Sequence, residues 1–268
     1  MPNVLSRNFV VAAQGTAEAE SAGGLQYRIL KRLSPGEPAW SIAVSATGAR
    51  SRLRTMWGDD ILRMVQGKTV LDFGCGEGSE AIEMARGGAR HVIGLDIRED
   101  VLNIARQRAK AAGVGEHCEF STSASRPVDI VVSIDAFEHF EDPEAVLRLM
   151  EDLLKPSGEV VINFGPTWYH PLGGHLFSVF PWAHLVFSEK ALIRWRADFR
   201  SDGATRFSEV AGGLNRITIG RFKRIVGKSG FEFRSLELIP IRALRPFHNV
   251  LTREFTTAAV RCALVKRN

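Results

Sequence analysis

Nowhere does the sequence hold an apolar stretch approaching the roughly 18 residues that a membrane-spanning helix needs, so a bilayer-crossing segment is not expected. Cysteine is scarce. Cys75, Cys118 and Cys262 stand at unrelated spacings that form neither a zinc-ligand nor a disulfide pattern, and a reducing, cytoplasmic setting follows. Blocks of like charge are absent too: the net charge of +5 comes from dispersed arginine, which argues against a nucleic-acid surface. There are no internal repeats or low-complexity tracts. The opening "MPNVLSRNFVVAAQG" has one Arg and an apolar patch too short for a signal peptide.

What is present is ordinary globular material. The chain has 268 residues, 45% of them hydrophobic and 24% charged, with 25 Gly and 11 Pro, which suits one large domain or one domain with an insertion. Residues 1–50 are an N-terminal extension and a candidate cap, with a short helix expected around "GLQYRILKRL" and a turn at "SPGEP". "ARSRLRTMWGDDILRMV" predicts a helix, since Leu53, Met56, Trp57, Ile61 and Met64 recur at three- and four-residue spacing. From there the texture alternates. "KTVLDFGCGEGSEAIEMARGG" reads as strand, glycine turn and helix, "HVIGLDI" as strand and "EDVLNIARQRAKAAGV" as helix. "VDIVVSIDAF" is a continuously apolar strand, "PEAVLRLMEDLLKPSG" a helix closed by Pro and Gly, and "GEVVINF" a strand. This rhythm predicts a doubly wound α/β sheet whose cofactor-binding core covers residues 51–164. The alternation stops over residues 165–216 and resumes in 217–268, which complete the core with a helix and two strands suited to an antiparallel pair at a sheet edge.

"VLDFGCGEG" places Gly74, Gly76 and Gly78 between a strand and a helix, where a ligand can lie against main-chain N–H groups. Asp96 ends the next strand, 22 residues after Gly74, where a carboxylate can accept from both hydroxyls of a ribose. Together they indicate an adenosine-containing cofactor. The spacing is G-x-G-x-G, not the G-x-G-x-x-G of nicotinamide folds. Asp72 just before the loop would repel a pyrophosphate and suits an amino group or a sulfonium-bearing amino-acid tail.

With these pieces, "VIGLDI", "VDIVVSIDAFEHFEDPEAVLRLMEDLLKPSGEVVI" and the closing "GFEFRSLEL…AAVRCALVKR", the chain resembles the class I S-adenosylmethionine-dependent methyltransferases, in particular small-molecule O-methyltransferases, over residues 55–164 and 217–268. The resemblance implies a seven-stranded, mostly parallel sheet with its last strand antiparallel. It also implies that the methionine part lies along Asp72, Gly74, Cys75, Gly76 and Gly78, that Asp96 holds the ribose, and that Ile97 lies beside the adenine. One departure stands out: the family often has an Asp near the adenine amino group, whereas here "FSTSASRPVD" has no acid until Asp129, which leaves Thr122, Ser123 or Ala124 to approach the ring.

The insertion "GPTWYHPLGGHLFSVFPWAHLVF" concentrates aromatics and histidines after the fifth strand, whose carboxyl end faces the cofactor crevice in an open α/β sheet. Two readings stay open: a substrate lid walling an apolar pocket, or a satellite core or homodimer contact. Arg194, Arg196 and Arg200 on the following helix read as a solvated face.

"DAFEHF" (135–140) is the remaining cluster. Its strand delivers Asp135 to the carboxyl end of the sheet, above the sulfonium that the resemblance implies. In many members of the family Glu-His at the positions of Glu138 and His139 shapes the turn without a metal. The full D-x-x-E-H pattern also resembles the E-x-x-E-H motif of metal-dependent small-RNA 2′-O-methyltransferases and of some quinone-biosynthesis O-methyltransferases. The resemblance then implies a divalent site (Mg, Mn or Zn) of Asp135, Glu138, His139 and a later histidine; His170 and His175 follow His139 by 31 and 36 residues, with His184 beyond. Without a metal, His139 or His175 is the candidate general base, oriented by Asp135 or Glu138. The expected function is O-methylation of a small-molecule hydroxyl, in a secondary metabolite, phenol or sugar. RNA 2′-O-methylation and a catalytically silent cofactor-binding protein remain as alternatives.

Overall fold

The computed structural model describes residues 24–36, 51–200, 203–209 and 213–267; the expectations for the first 23 residues and for 37–50 lie outside it. Helix α1 occupies 24–33, over the "GLQYRILKRL" stretch. Helices α2 (Leu53–Trp57) and α3 (Asp60–Val65) follow where one continuous helix was expected. The break falls at Gly58, whose φ of 66° is a left-handed conformation that ends the first helix.

Seven strands form one sheet: β1 (Thr69–Phe73), β2 (His91–Leu95), β3 (Cys118–Ser121), β4 (Val128–Ile134), β5 (Leu154–Phe164), β6 (Phe231–Pro240) and β7 (Thr257–Lys266). Their order is β3-β2-β1-β4-β5-β7-β6. The first five are parallel, and β7 runs antiparallel to both β5 and β6. Both faces are covered. Helices α4 (Ser79–Arg86) and α5 (Glu99–Ala111) pack Met84 and Leu102 against Val70 and Val92. On the other face α6 (Pro143–Leu153) and α9 (Ile219–Lys228) pack Leu147, Met150 and Phe222 against Val131 and Ile162. That double cover is why β4 is buried at nearly every position and apolar at five of its seven. Chain order reverses between β1 and β4, and an open α/β sheet forms its ligand crevice at the carboxyl ends of the strands flanking such a reversal.

Helix α6 begins with Asp142 accepting from the Ala145 amide at 2.9 Å and Pro143 in the first turn. It ends at Leu153, earlier than "PEAVLRLMEDLLKPSG" suggested, and Leu154–Ser157 already belong to β5. Pro156 disfavours helix at Lys155, and Leu154 pairs with Val128 instead.

The insertion after β5 carries α7 (Ala183–Val186) and α8 (Glu189–Arg196). It has a core of its own: Phe177, Leu192, Trp195, Phe207 and Leu214 are buried together with Leu30 of α1. Trp195 donates from its indole to the Ser34 carbonyl at 2.9 Å, and Tyr27 donates to Asp198. Helix α1 is thereby fastened to the insertion. Of the arginines expected on a solvated face, Arg194 and Arg200 are exposed, with Arg194 4.3 Å from the Tyr27 ring centroid, whereas Arg196 departs from expectation and is buried with its guanidinium over Phe177. Among the described residues no helix is long and apolar enough to cross a membrane.

Candidate functional site

The β1–α4 turn is built by glycines for two reasons. Gly74, Gly76 and Gly78 all have left-handed φ (83°, 50° and 78°). A Cβ on Gly74 would stand 2.7 Å from that of Ala136, and one on Gly78 would stand 2.9 Å from that of Ala105. A Cβ on Gly76 would meet nothing within 4 Å, so this glycine presents bare main chain to open space, as a cradle for a ligand requires. The Cys75 side chain turns inward into the core, and burial pushes its thiol far up, leaving only its backbone to the crevice.

Asp96 closes the loop from the neighbouring strand. Its Oδ2 accepts from the Gly76 amide at 3.0 Å and its Oδ1 from the Arg98 amide at 3.0 Å. A carboxylate oxygen takes two hydrogen bonds, so Oδ2 retains room for a hydroxyl. Beside it Ile97 is 90% exposed, an apolar side chain with no apolar cover of its own. Ser123 is exposed and Ala124 half-buried in the segment after β3. Asp129 sits at the start of β4, held by the Thr69 amide and by Lys155 at 2.6 Å, at the opposite end of the sheet from this crevice.

Three carboxylates gather along the crevice. Asp72 is buried, and desolvation, reinforced by Glu80 and Asp96, holds its carboxyl well above the usual range; its Oδ2 has no partner among the described residues. Desolvation likewise raises Glu80, with Asp135 adding to it, although Glu80 accepts from the Arg52 amide at 2.9 Å. Asp135, at a left-handed φ of 49° after β4, is raised by burial and countered by the Arg52 guanidinium at 2.5 Å and by Asn163, which donates at 3.0 Å. Negative charge crowded this way disfavours a pyrophosphate and favours a cationic ligand. Glu80, Arg52 and Asn163 carry no motif signal: they reach the crevice from elements whose meeting only the fold decides.

The "DAFEHF" turn is anchored by its phenylalanines. The ring of Phe137 stands 5.2 Å from that of Phe222, 5.6 Å from Phe164 and 5.8 Å from Phe140, contacts of about 0.5–1.5 kcal/mol each beyond their burial. This fixes the two residues between. Glu138 is buried; its Oε1 accepts from the Gly165 amide at 3.1 Å, its Oε2 has no partner among the described residues, and burial pushes its carboxyl up to about 7. Asn215 holds the turn from outside, donating to the Phe137 and Phe140 carbonyls.

His139 and His175 lie with ring centroids 5.3 Å apart. Each has Nδ1 against a carbonyl, of Gly213 at 2.8 Å and of Gly173 at 3.2 Å, so each ring carries its proton there and leaves Nε2 as the lone-pair nitrogen. Burial lowers His175 to about 3, with His139 adding to the shift. Glu138, His139 and His175 each offer a ligand atom within 4.8 Å of the others. One carboxylate and two imidazoles would suit a divalent cation such as Zn²⁺ or Mn²⁺, and the orphaned Glu138 oxygen is the acceptor it would satisfy. The other motif and lid groups point elsewhere. Asp135 pairs with Arg52 and Asn163, His170 accepts from the Leu172 amide, and His184 is buried against Trp168 with Nε2 on that residue's carbonyl.

Residues 65–166 match a family model described as a methyltransferase domain. Among curated relatives, the ubiquinone biosynthesis O-methyltransferase of Acinetobacter baylyi is 37% identical over 127 residues, 44% of this chain and 53% of its own length. That of Sodalis glossinidius is 41% identical over 106 residues, 36% of this chain and 41% of its own length. The chain thus spans about half the length of the curated relatives it matches. Two solved structures share the fold. Magnesium protoporphyrin IX methyltransferase from Synechocystis, with bound S-adenosylhomocysteine, aligns over 92% of this chain and 95% of its own, at 19% identity and a TM-score of 0.52. A SAM-dependent methyltransferase from Aquifex aeolicus aligns over 84% of this chain and 97% of its own, at 14% identity and a TM-score of 0.51. Residues 65–166 therefore carry a methyltransferase domain, and the chain has the fold of the S-adenosylmethionine-dependent methyltransferases.

Proposed function

We propose that the chain binds S-adenosylmethionine and transfers its methyl group to a hydroxyl of a small-molecule acceptor, a phenol or a sugar. The observation that carries this reading is the acidic crevice: Asp72, Glu80 and Asp135, all with raised carboxyl pKa, lie along a glycine loop whose open face is bare backbone. A sulfonium and an ammonium are the charges such a site accepts. Asp72 and the backbone of Gly74 to Gly78 hold the methionine part, Asp96 the ribose, and Ile97, Ser123 and Ala124 flank the adenine. The match to relatives named O-methyltransferases supports oxygen as the methyl acceptor.

A sulfonium methyl is already electrophilic, so the protein has to align the hydroxyl, exclude water and take up a proton. His139, held by the Gly213 carbonyl and close to Asp135 and Glu138, is the proton acceptor. His175 is kept neutral by burial and serves as a hydrogen-bond acceptor. A second reading replaces those two histidine roles, because it uses the same Nε2 lone pairs: Glu138, His139 and His175 would hold a divalent cation, which when bound would acidify a hydroxyl placed beside it. Three unpaired cysteines fit work in a reducing cytoplasm.

Incubation with methyl-labelled S-adenosylmethionine and a panel of phenols, catechols, sugars and short RNA tests the reading. Label is expected on a small-molecule hydroxyl. Label on RNA alone would replace the acceptor assignment. Cofactor binding without transfer to any acceptor would make the chain a silent binder and overturn the catalytic claim.

A further inference from the structure

The connection between β6 and β7 takes no part in the crevice, yet it carries the most exposed apolar side chains of the described chain apart from Ile97. Leu251 is 90% exposed, Val250 74%, Phe247 65% and Phe255 43%. They do not belong to a loose loop. A 3-10 helix covers Arg242–Phe247, the Asn249 side chain accepts from the Leu251 and Thr252 amides, and His248 meets Thr256 at 2.8 Å. A hydrogen-bonded platform therefore holds the apolar groups outward. Isolated exposed apolar residues are common, but four within nine positions form a patch that calls for a partner.

The charge around the patch says which partner. Arg242, Arg245 and Arg253 flank it, and none of the three has an ion-pair partner among the described residues. The one carboxylate of residues 241–256 is Glu254, and it is occupied: its oxygens accept the Ile219 and Gly220 amides at the start of α9, at 3.0 and 2.8 Å. The protrusion thus combines an apolar tip with an uncompensated basic rim, complementary to a bilayer interface rich in anionic headgroups. Its position favours use. Phe164 pairs with Val260, so the connection lies at the carboxyl end of β5, the rim that also bears the crevice, and Phe255 stands 5.2 Å from Tyr169 of the insertion.

We infer that residues 242–255 form a docking surface for anionic phospholipid bilayers, with Val250 and Leu251 entering the interface and Arg242 and Arg245 engaging headgroups. The inference is independent of the methyl-transfer reading, and its test uses no activity. The full chain is sedimented with vesicles of phosphatidylcholine alone or mixed with phosphatidylglycerol. Binding to mixed vesicles only is expected, weakening as salt rises. Each headgroup-facing arginine removed is expected to lower the partition about fivefold, so Arg242→Gln/Arg245→Gln loses roughly 25-fold. Val250→Ser/Leu251→Ser is expected to lose at least about tenfold. Both pairs are exposed, and an unchanged melting temperature establishes that each variant is folded. Absence of vesicle binding, binding indifferent to headgroup charge, or binding unaffected by either variant overturns the inference. So does light scattering that shows a dimer abolished by Val250→Ser/Leu251→Ser, which would assign the face to a second copy of the chain.

Discussion

Asp72 is the residue at which cofactor binding and stability pull in opposite directions. It is buried, its Oδ2 is unpartnered among the described residues, and its carboxyl pKa is raised chiefly by desolvation. An acid with a raised folded-state pKa binds more protons folded than unfolded, so its contribution to stability falls as pH climbs above the ordinary aspartate value of 3.8 toward the folded one. Asp72→Asn is expected to flatten that decline in thermal melts between acidic and mildly alkaline pH without ligand, while weakening S-adenosylhomocysteine binding. A variant that melts with the wild-type pH slope would contradict this account of the buried acid. Glu138 supplies a second residue-scale prediction. If its unpaired oxygen awaits a cation, protein dialysed against trace Zn²⁺ or Mn²⁺ holds about one equivalent by elemental mass spectrometry, and Glu138→Gln and His175→Ala each lose it. Wild-type protein free of metal would leave "DAFEHF" as a turn whose histidine handles protons. The contiguous motifs were legible as placement: Asp72 and the glycines lie at the end of β1, Asp96 just after β2, and the Glu138–His139 pair just after β4. It was silent on Arg52, Glu80 and Asn215. Arg52 meets Asp135 across 83 positions and Asn215 meets Phe137 across 78, and no local pattern encodes such meetings.

Among the elements, strands and helices with a clean period were legible. What the sequence misjudged were terminations and buried charge. A single glycine in a left-handed conformation split the helix expected over 49–65, and Pro156 with the Leu154–Val128 pairing turned the expected end of α6 into the start of β5. Arg196 looks like surface in a basic helix because the aromatic ring that covers it, Phe177, comes from a separate turn. The insertion's own core was also invisible in sequence order, since Leu30 reaches it from far upstream. Trp195 is the largest of its fully buried side chains. Trp195→Ala is expected to cost roughly 3–5 kcal/mol of local stability. Amide exchange should then quicken in α8 and in residues 24–33, which Trp195 ties together through Ser34, while β1, β4 and β5 keep their protection. Equal acceleration in the central strands would show that the insertion and the sheet unfold as one unit.

For the whole molecule, the order β3-β2-β1-β4-β5-β7-β6 sets the glycine loop, the end of β4 and the insertion around one rim of the sheet. The central claim is that this rim binds an S-adenosyl amino acid and not a dinucleotide. Isothermal calorimetry of S-adenosylhomocysteine, with NAD as the competitor and Asp96→Ala as the variant, tests it most directly. The account predicts one equivalent bound by the wild type and no competition from NAD. It also predicts a loss of roughly 10- to 100-fold in Asp96→Ala, the worth of about 1.5–3 kcal/mol of hydrogen bonding to a charged carboxylate, with the fold retained. Absence of S-adenosylhomocysteine binding together with tight NAD binding would contradict it.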